Sequence, residues 1–550
     1  MGRRTHPEER RATPPGKHAL WLHATFGVGL LSVGLAACNG CRSTSPSAPP
    51  VAVVAEPPPT LRVYFTSDLA GAIEPCGCVK DQLGGLDHAA AWMDGQRGRA
   101  PTSMLVAAGP TFFMNPILEK DHRSQDLAKA DALASALRHL GLAGWAPSGN
   151  DWAGGSPELA KLVQASGAPV LEANVHADAG TPLLPMRMIP VNAMRVALIG
   201  VGAPPADAEA TQVSAPEAVR AASQQARADG ANIVIALASV GRGEAKRIAD
   251  AVPDLTAIIV GDPSGRGEAN TTSPPGEQVG GVLIAETANH LQTIGAIDFY
   301  VRGDSYVFAD GGGLGEGQRR AELTRRIDDL HFKIANWERD RSILQADLDA
   351  RRADLARFEA ELARLGQKPV PAQGSYFRYT VKEVREALGQ DPAVKASLAT
   401  YYRTVNEANR VQLEGRIPAE PAEGQPSFVG VDACATCHAS EKKFWEKTAH
   451  AGAYASLSTQ SKEYNLDCVS CHVTGYGLAG GSTVTHVDKL KDVQCEVCHG
   501  PGSLHAAKPK EVRLPKPEPA LCVNCHQPPH VEGFDAVAKM NLIIGPGHGR

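Results

Sequence analysis

The sequence predicts a multidomain chain: a layered α/β domain, a long helical coiled-coil segment, and a small domain of mainly α and irregular structure. Three observations predict it. Between Leu61 and Arg302 short apolar runs alternate with helical stretches, and from Leu323 to Leu365 apolar residues recur every three or four positions. The last fifth of the chain holds four copies of C-x-x-C-H. At 550 residues there is room for about three or four domains. A hydrophobic content of 43% and a charged content of 21% are ordinary for a globular protein. The formal net charge of −5 gives no electrostatic basis for binding nucleic acid.

The first 37 residues read as an export signal. Arg3, Arg4, Arg10, Arg11 and Lys17 form a positive start, and Ala19 to Ala37 is largely apolar. Leu35-Ala36-Ala37-Cys38 resembles the lipobox of bacterial lipoproteins, which implies cleavage before Cys38 and acylation of that residue. By the same resemblance, Asn39 after the cysteine implies the outer membrane, with the protein facing the periplasm. Residues 38–60, rich in Ser, Pro, Ala and Val, suit a flexible tether.

The α/β domain is expected over 61–310. Strand candidates are 61–68, 104–109, 195–201, 232–241, 257–262 and 296–301. Leu127, Ala130, Leu133, Leu137 and Leu140 share one face of a helix between Asp126 and Leu140.

Residues 318–366 carry the heptad pattern. Leu323, Ile327, Leu330, Ile334, Trp337, Leu344, Leu348, Leu355, Phe358, Leu362 and Leu365 alternate at four and three, with Arg341 and Arg351 filling seam positions. A continuous helix of six heptads would span roughly 60–70 Å. Its stripe needs a partner, either a second copy of the chain or the stretch Val381–Leu413, within a helical segment expected over 376–415. A Pro/Glu/Gly-rich linker at 416–427 follows.

The C-x-x-C-H copies start at Cys434, Cys468, Cys495 and Cys522. This spacing is the attachment signal for c-type haem. Four pairs would each hold one porphyrin: Cys434 with Cys437, Cys468 with Cys471, Cys495 with Cys498, and Cys522 with Cys525. His438, His472, His499 and His526 would bind the irons from the proximal side. Four haems in residues 428–550 leave little room for an aliphatic core, so the macrocycles must serve as the interior. Nine of the 18 histidines lie in this stretch, and five of them, His450, His486, His505, His530 and His548, are spare. With Met540 the single methionine there, bis-histidine ligation is expected over His/Met.

The phrases FVGVDACATCHASEKKFWEKTAHAGAYASL, DCVSCHVTGYG, VQCEVCHGPGSLHA and LCVNCHQPPH resemble the tetrahaem cytochrome family whose best-known member accepts electrons from hydroxylamine oxidoreductase. The resemblance implies His450, His505 and His548 as distal ligands, and one five-coordinate haem on Cys468, Cys471 and His472. Which distal histidine serves which iron is left open.

LRVYFTSDLAGAIEPCGC followed by GGL, and the later VAAGP, PSGND, LEANV, IALASVG and IIVGD, resemble the 5′-nucleotidase-like metallophosphatases. Such enzymes activate water between two divalent ions held by carboxylates, an asparagine and imidazoles. Here the D-x-H reads Asp68-Leu69-Ala70, the G-D reads Gly109-Pro110, and the G-N-H reads Gly149-Asn150-Asp151. The S-H-x-G reads Ala238-Ser239-Val240-Gly241, and the G-H-x-H reads Gly261-Asp262-Pro263-Ser264. Asp68 and Asn150 alone stand in place, so no divalent metal is expected, although Asp151 and Asp262 offer oxygens to a hard cation. Cys76 and Cys78 would form a local disulfide, a redox couple or a pair involving Cys41, or remain buried thiols.

The expected function is electron transfer in the cell envelope, between redox donor and acceptor proteins or quinol-linked enzymes, with the phosphatase-like domain an inactive scaffold. Redox chemistry on a small nitrogen oxide at the five-coordinate haem, phosphoester hydrolysis, and assembly through the coiled coil as a homo-oligomer are the alternatives.

Overall fold

The run LRVYFTS becomes strand Leu61–Ser67, buried along nearly its whole length inside an eight-stranded sheet. Burial on both faces is what a doubly covered, mostly parallel sheet demands. The computed structural model describes residues 56–75, 82–176, 181–203, 211–263, 269–339, 343–365, 371–527, 530–531 and 533–548. The export segment with Cys38 and Cys41, and the pair Cys76 and Cys78, lie outside those residues.

The first sheet runs, in spatial order, Phe308–Asp310, Ser375–Glu383, Thr293–Tyr300, Leu61–Ser67, Ser103–Ala108, Leu142–Ala146, Val170–Leu171 and Leu183–Leu184. The second runs Glu277–Val279, Val282–Ala285, Ala257–Gly261, Ile233–Ser239, Met194–Val201 and Met186–Val191. All six strand candidates lie in these sheets. Because side chains alternate along a strand, Val63, Phe65 and Val106 meet Leu198, Ile235 and Ile259 between the sheets. Tyr64 and Leu105 point the other way, onto helices Leu86–Gly95, Arg123–His139 and Pro392–Leu413. Val234 and Ile258 pack on helices Ala215–Ala228 and Arg242–Ala251. The order is helix, sheet, sheet, helix, one of the layered solutions open to an α/β chain.

Two expectations need correction. The heptad stripe does not form one rod. It is split into helices Glu316–Trp337 and Gln345–Arg364, which pack on each other. Arg319 pairs with Glu361 and Arg352 with Glu338, so the two run antiparallel. Leu344, expected in the seam, is extended at the N-cap of the second helix and 68% exposed. Folding back lets each half cover the other's apolar stripe, as Leu323, Ile327, Ile334 and Leu348 show, for a modest loop-closure cost.

The 376–415 segment is likewise not all helix. Its first part is strand Ser375–Glu383, paired antiparallel with Thr293–Tyr300. Alternation of buried Phe377 and Tyr379 with Arg378 and Thr380, in a run rich in aromatic residues, favours a strand over a helix. Helix Pro392–Leu413 then starts on Asp391, whose carboxylate accepts from the Ala393 and Val394 amides, with Pro392 in the first turn. It buries Val394, Leu398, Tyr401 and Val405. The α/β domain therefore extends past residue 310 to about Leu413, and the helical hairpin is an insertion in it.

From 428 onward the elements are short, the longest being helix Ala536–Ile543. The local apolar cluster is small: Leu413, Tyr454, Leu466, Val469, Val473, Val484 and Val487. Leu413 brings the α/β domain into that cluster. A buried polar knot reinforces the junction. Gln125 Oε1 accepts from Asn409 Nδ2 at 2.8 Å and from the Leu466 amide at 2.9 Å, and Gln125 Nε2 donates to Asn465 Oδ1 at 3.3 Å. All three side chains are at most 3% exposed, so each unmade bond would cost about 1–3 kcal/mol.

Candidate functional site

Each C-x-x-C-H lies on about one turn of helix or 3₁₀ helix, such as Cys495–His499 and Val469–Cys471. One turn places residues three apart on the same side, where two thiols can reach one macrocycle. Cys434, Cys437, Cys468, Cys471, Cys495, Cys498, Cys522 and Cys525 are all thiols and not disulfides. Their burial is uneven. Cys437 is exposed, whereas Cys525 and the other six are half-buried. The Cys437 side of the first motif thus faces solvent, and the protein alone does not enclose that attachment point.

The imidazoles pair across the domain. His438 faces His505 with ring centroids 6.3 Å apart, His450 faces His526 at 6.3 Å, and His499 faces His548 at 5.9 Å. With about 2 Å per metal–nitrogen bond and about 1 Å from nitrogen to ring centre, two imidazoles on one metal sit roughly 6 Å apart. The spacing thus fits a shared metal atom, and each pair joins one C-x-x-C-H histidine to one expected distal histidine. His472 has no imidazole at this distance among the described residues.

The far side of several rings is already held. His472 Nδ1 donates to the Ala453 carbonyl at 2.6 Å, His499 Nδ1 to Pro515 at 3.0 Å, and His505 Nδ1 to Val512 at 2.7 Å. His548 Nδ1 lies 3.0 Å from the Pro546 carbonyl. A proton on Nδ1 leaves the Nε2 lone pair for a metal and fixes the plane of the ring. Burial lowers the His450 and His526 imidazoles, favouring the neutral form that ligates iron. His486 is placed differently, with Nδ1 beside the hydroxyls of Thr485 at 3.1 Å and Thr483 at 3.4 Å. The thiols, the facing imidazoles and the small local core together fit haem c.

Sequence reasoning missed a cavity of about 660 Å³ between the two domains. Cys468, Cys471 and His530 line it from the C-terminal side, and Phe112, His290 and Tyr402 from the other. No motif announces it, because its two walls are some hundreds of residues apart. Two ion pairs cross beside it, Lys129 to Asp467 at 2.7 Å and Lys462 to Glu74 at 2.6 Å.

The degenerate phosphatase positions come together at the carboxyl ends of the strands, where they bond to the backbone. Asp68 Oδ1 accepts from the Asp262 amide at 2.7 Å. Asp151 accepts from the amides of Phe112 at 2.8 Å, Thr111 at 3.0 Å and Ser148 at 3.0 Å. Asn150 Nδ2 donates to the Met114 carbonyl at 2.6 Å. Ser239 Oγ accepts from the Gly109 amide at 2.6 Å and donates to the Ala146 carbonyl at 2.9 Å. Gly109 is required: at φ +87° a Cβ there would fall 1.8 Å from Asp68 Oδ1. Burial pushes the Asp68 and Asp151 carboxyls up to about 7, against the pull of these amide donors. Among the described residues no three His, Cys, Asp or Glu side chains converge as a metal-binding group.

Residues 433–500 match the family model of cytochrome c554 and c-prime. Cytochrome c-554 of Nitrosomonas europaea is 38% identical over 91 residues, which is 14% of this chain and 39% of that protein. The chain therefore spans about two fifths of the length of the curated relative it matches. Among solved structures, the 5′-nucleotidase precursor of Thermus thermophilus is similar at 15% identity and a TM-score of 0.42, covering 66% of this chain and 61% of that one. The calcineurin-like phosphoesterase YfkN of Bacillus subtilis is similar at 18% identity and a TM-score of 0.37, covering 44% and 85% respectively. These two likenesses concern the path of the chain and not its chemistry. Residues 433–500 of the C-terminal region are thus similar to cytochrome c554.

Proposed function

We propose that this protein is a tetrahaem c-type cytochrome that carries electrons in the bacterial cell envelope. The observation that carries the reading is the set of three facing imidazole pairs with His472 left single. Cys434 and Cys437, Cys468 and Cys471, Cys495 and Cys498, and Cys522 and Cys525 would hold four haems through thioether bonds. His438 with His505, His450 with His526, and His499 with His548 would hold three irons from both sides, and His472 the fourth from one. Haem iron supplies a one-electron couple, and bis-imidazole ligation keeps its potential below that of a His/Met site. The chain's own work is to fix the rings, through the Nδ1 bonds to backbone carbonyls, and to exclude water around them.

The N-terminal domain is proposed to be catalytically inactive. Asp68, Asp151 and Ser239 spend their bonding capacity on backbone amides, and the positions of the bridging carboxylate and the imidazoles are held by other residues. Lipid attachment at Cys38, an outer-membrane location and redox partner proteins belong to the same proposal, on the strength of the lipobox and the c554 likeness. No helix among the described residues is long and apolar enough to cross a membrane.

Haem count by pyridine haemochrome, with electron paramagnetic resonance of the oxidised protein, tests this. Four haems per chain, three low-spin and one high-spin, are expected. Four low-spin signals, or fewer than four haems, would contradict it. The single His472 also favours a second reading, redox chemistry on a small molecule at that haem, for which substrate-dependent reoxidation of the reduced protein is the test.

A further inference from the structure

The cavity between the domains belongs neither to a phosphatase site nor to a cytochrome taken alone. Its C-terminal wall includes Cys468 and Cys471, the two thiols of the motif whose histidine faces no imidazole among the described residues. Cys468 lies toward the α/β domain, lining the cavity together with Tyr401 and Tyr402. His472, held through Nδ1 to Ala453, is not part of the lining. A macrocycle tethered at these thiols therefore has its proximal imidazole outside the cavity.

The opposite wall is built by the α/β domain, from the loops after its first two strands and from helix Pro392–Leu413. Within it His290 is 7% exposed, with Nδ1 3.0 Å from Asn270 Oδ1, while its buried Nε2 has no partner among the described residues. Such an orphaned nitrogen is costly unless a further group meets it. The position is also well fixed: the His290 amide donates to the Asp68 carbonyl at 3.0 Å, and the backbone takes φ +52°. The Gln125–Asn409–Asn465 knot and the crossed pairs Lys129–Asp467 and Lys462–Glu74 lock the two walls together.

We propose that this cavity is the open side of the Cys468–Cys471 haem pocket, a chamber for a small ligand that carries an N–H or O–H. Both domains build it, and His290, whose Nδ1 proton is committed to Asn270 Oδ1, presents its Nε2 lone pair there as the α/β domain's acceptor. The inference rests on the reading that this haem has one protein ligand. It gives the phosphatase-like domain a task that needs no hydrolytic chemistry: it tunes which small molecules reach one iron and how fast. His290 is on this account a positioning residue toward the ligand, with no role in holding the macrocycle.

Carbon monoxide on the reduced full-length holoprotein is the probe. His290→Asn tolerates the positive φ and removes the imidazole, and Asn115→Trp adds bulk at an exposed lining residue. His290→Asn should shift the C–O stretching frequency, and Asn115→Trp should slow rebinding after photolysis several-fold. The three low-spin resonance signals should be unchanged in both, which shows that the variants fold. A carbon monoxide complex indifferent to both substitutions would overturn the inference alone. No complex in the wild-type protein would overturn the one-ligand reading beneath it, and the inference with it.

Discussion

Asp68, Asp151 and Ser239 in the N-terminal domain, and the imidazoles of the C-terminal region, stand in opposite conditions. The former are largely closed: Asp68, Asp151 and Ser239 each accept from a backbone amide within about 3 Å, while Asn150 Oδ1 is buried with no partner among the described residues. The latter are half open: Nδ1 of His472, His499, His505 and His548 is bonded to a carbonyl, and the other nitrogen is left for a metal. The difference teaches how two sets of buried polar groups are told apart. Groups with no ligand to meet turn inward to the chain, because a buried unpaired group is costly. Groups arranged for a metal keep one nitrogen in reserve and are braced from behind.

The contrast can be broken most severely at the thiols. Replacing Cys495 and Cys498 together by serine should remove one haem and, with it, the protease resistance of residues 428–548, since the local apolar cluster is too small to hold that region. Haemochrome counting and limited proteolysis measure both, and a variant with one fewer haem but unchanged resistance would contradict the porphyrin-as-core argument. Next comes the pairing of rings. His505→Ala should turn one low-spin iron high-spin and create a second carbon monoxide site, whereas His486→Ala should leave the spectrum unchanged. Equal effects from both would undo the assignment drawn from the 6.3 Å spacing.

The junction is a smaller target. Gln125→Leu leaves the Leu466 amide without its acceptor and takes one of two bonds each from Asn409 Nδ2 and Asn465 Oδ1; it should cost about 2–3 kcal/mol, read as a lower thermal midpoint with haem content intact. The closed condition of the α/β domain is sharpened by pH. Burial pushes the Glu172 carboxyl up to about 8, and its Oε2 has no partner. The unfolded chain then releases its proton first, so stability should fall as pH rises from about 4.5 toward 8. Glu172→Gln removes one of the titrations of this sign, beside those of Asp68 and Asp151, and should make the fall of the thermal midpoint less steep across that window; parallel pH curves for variant and wild type would refute this. The smallest effect is expected at the exposed pair Arg416–Asp121, where Arg416→Ala should leave the midpoint unmoved within error.

Reading the chain without its fold succeeds where chemistry is local. The C-x-x-C-H motifs are legible because attachment needs only one turn of backbone. The six strands and the Asp126–Leu140 helix are legible because burial on both faces leaves uninterrupted apolar runs. Ser375–Glu383 escapes such a reading, because the pairing that makes it a strand comes from Thr293–Tyr300, far away in sequence. The heptads signal helix correctly, but periodicity does not say which surface covers the stripe, and here it is the stripe's own second half.

By itself, then, the sequence determined the haem-attachment motifs, the surplus of histidines, the pattern of an export signal and the missing phosphatase ligands, all of which are matters of residue identity and short spacing. Only the tertiary structure decided which imidazole faces which, that His472 has no facing imidazole among the described residues, and that a cavity joins Cys468 and Cys471 to His290. Those depend on contacts between residues tens to hundreds of positions apart, which chain packing sets and local pattern does not encode.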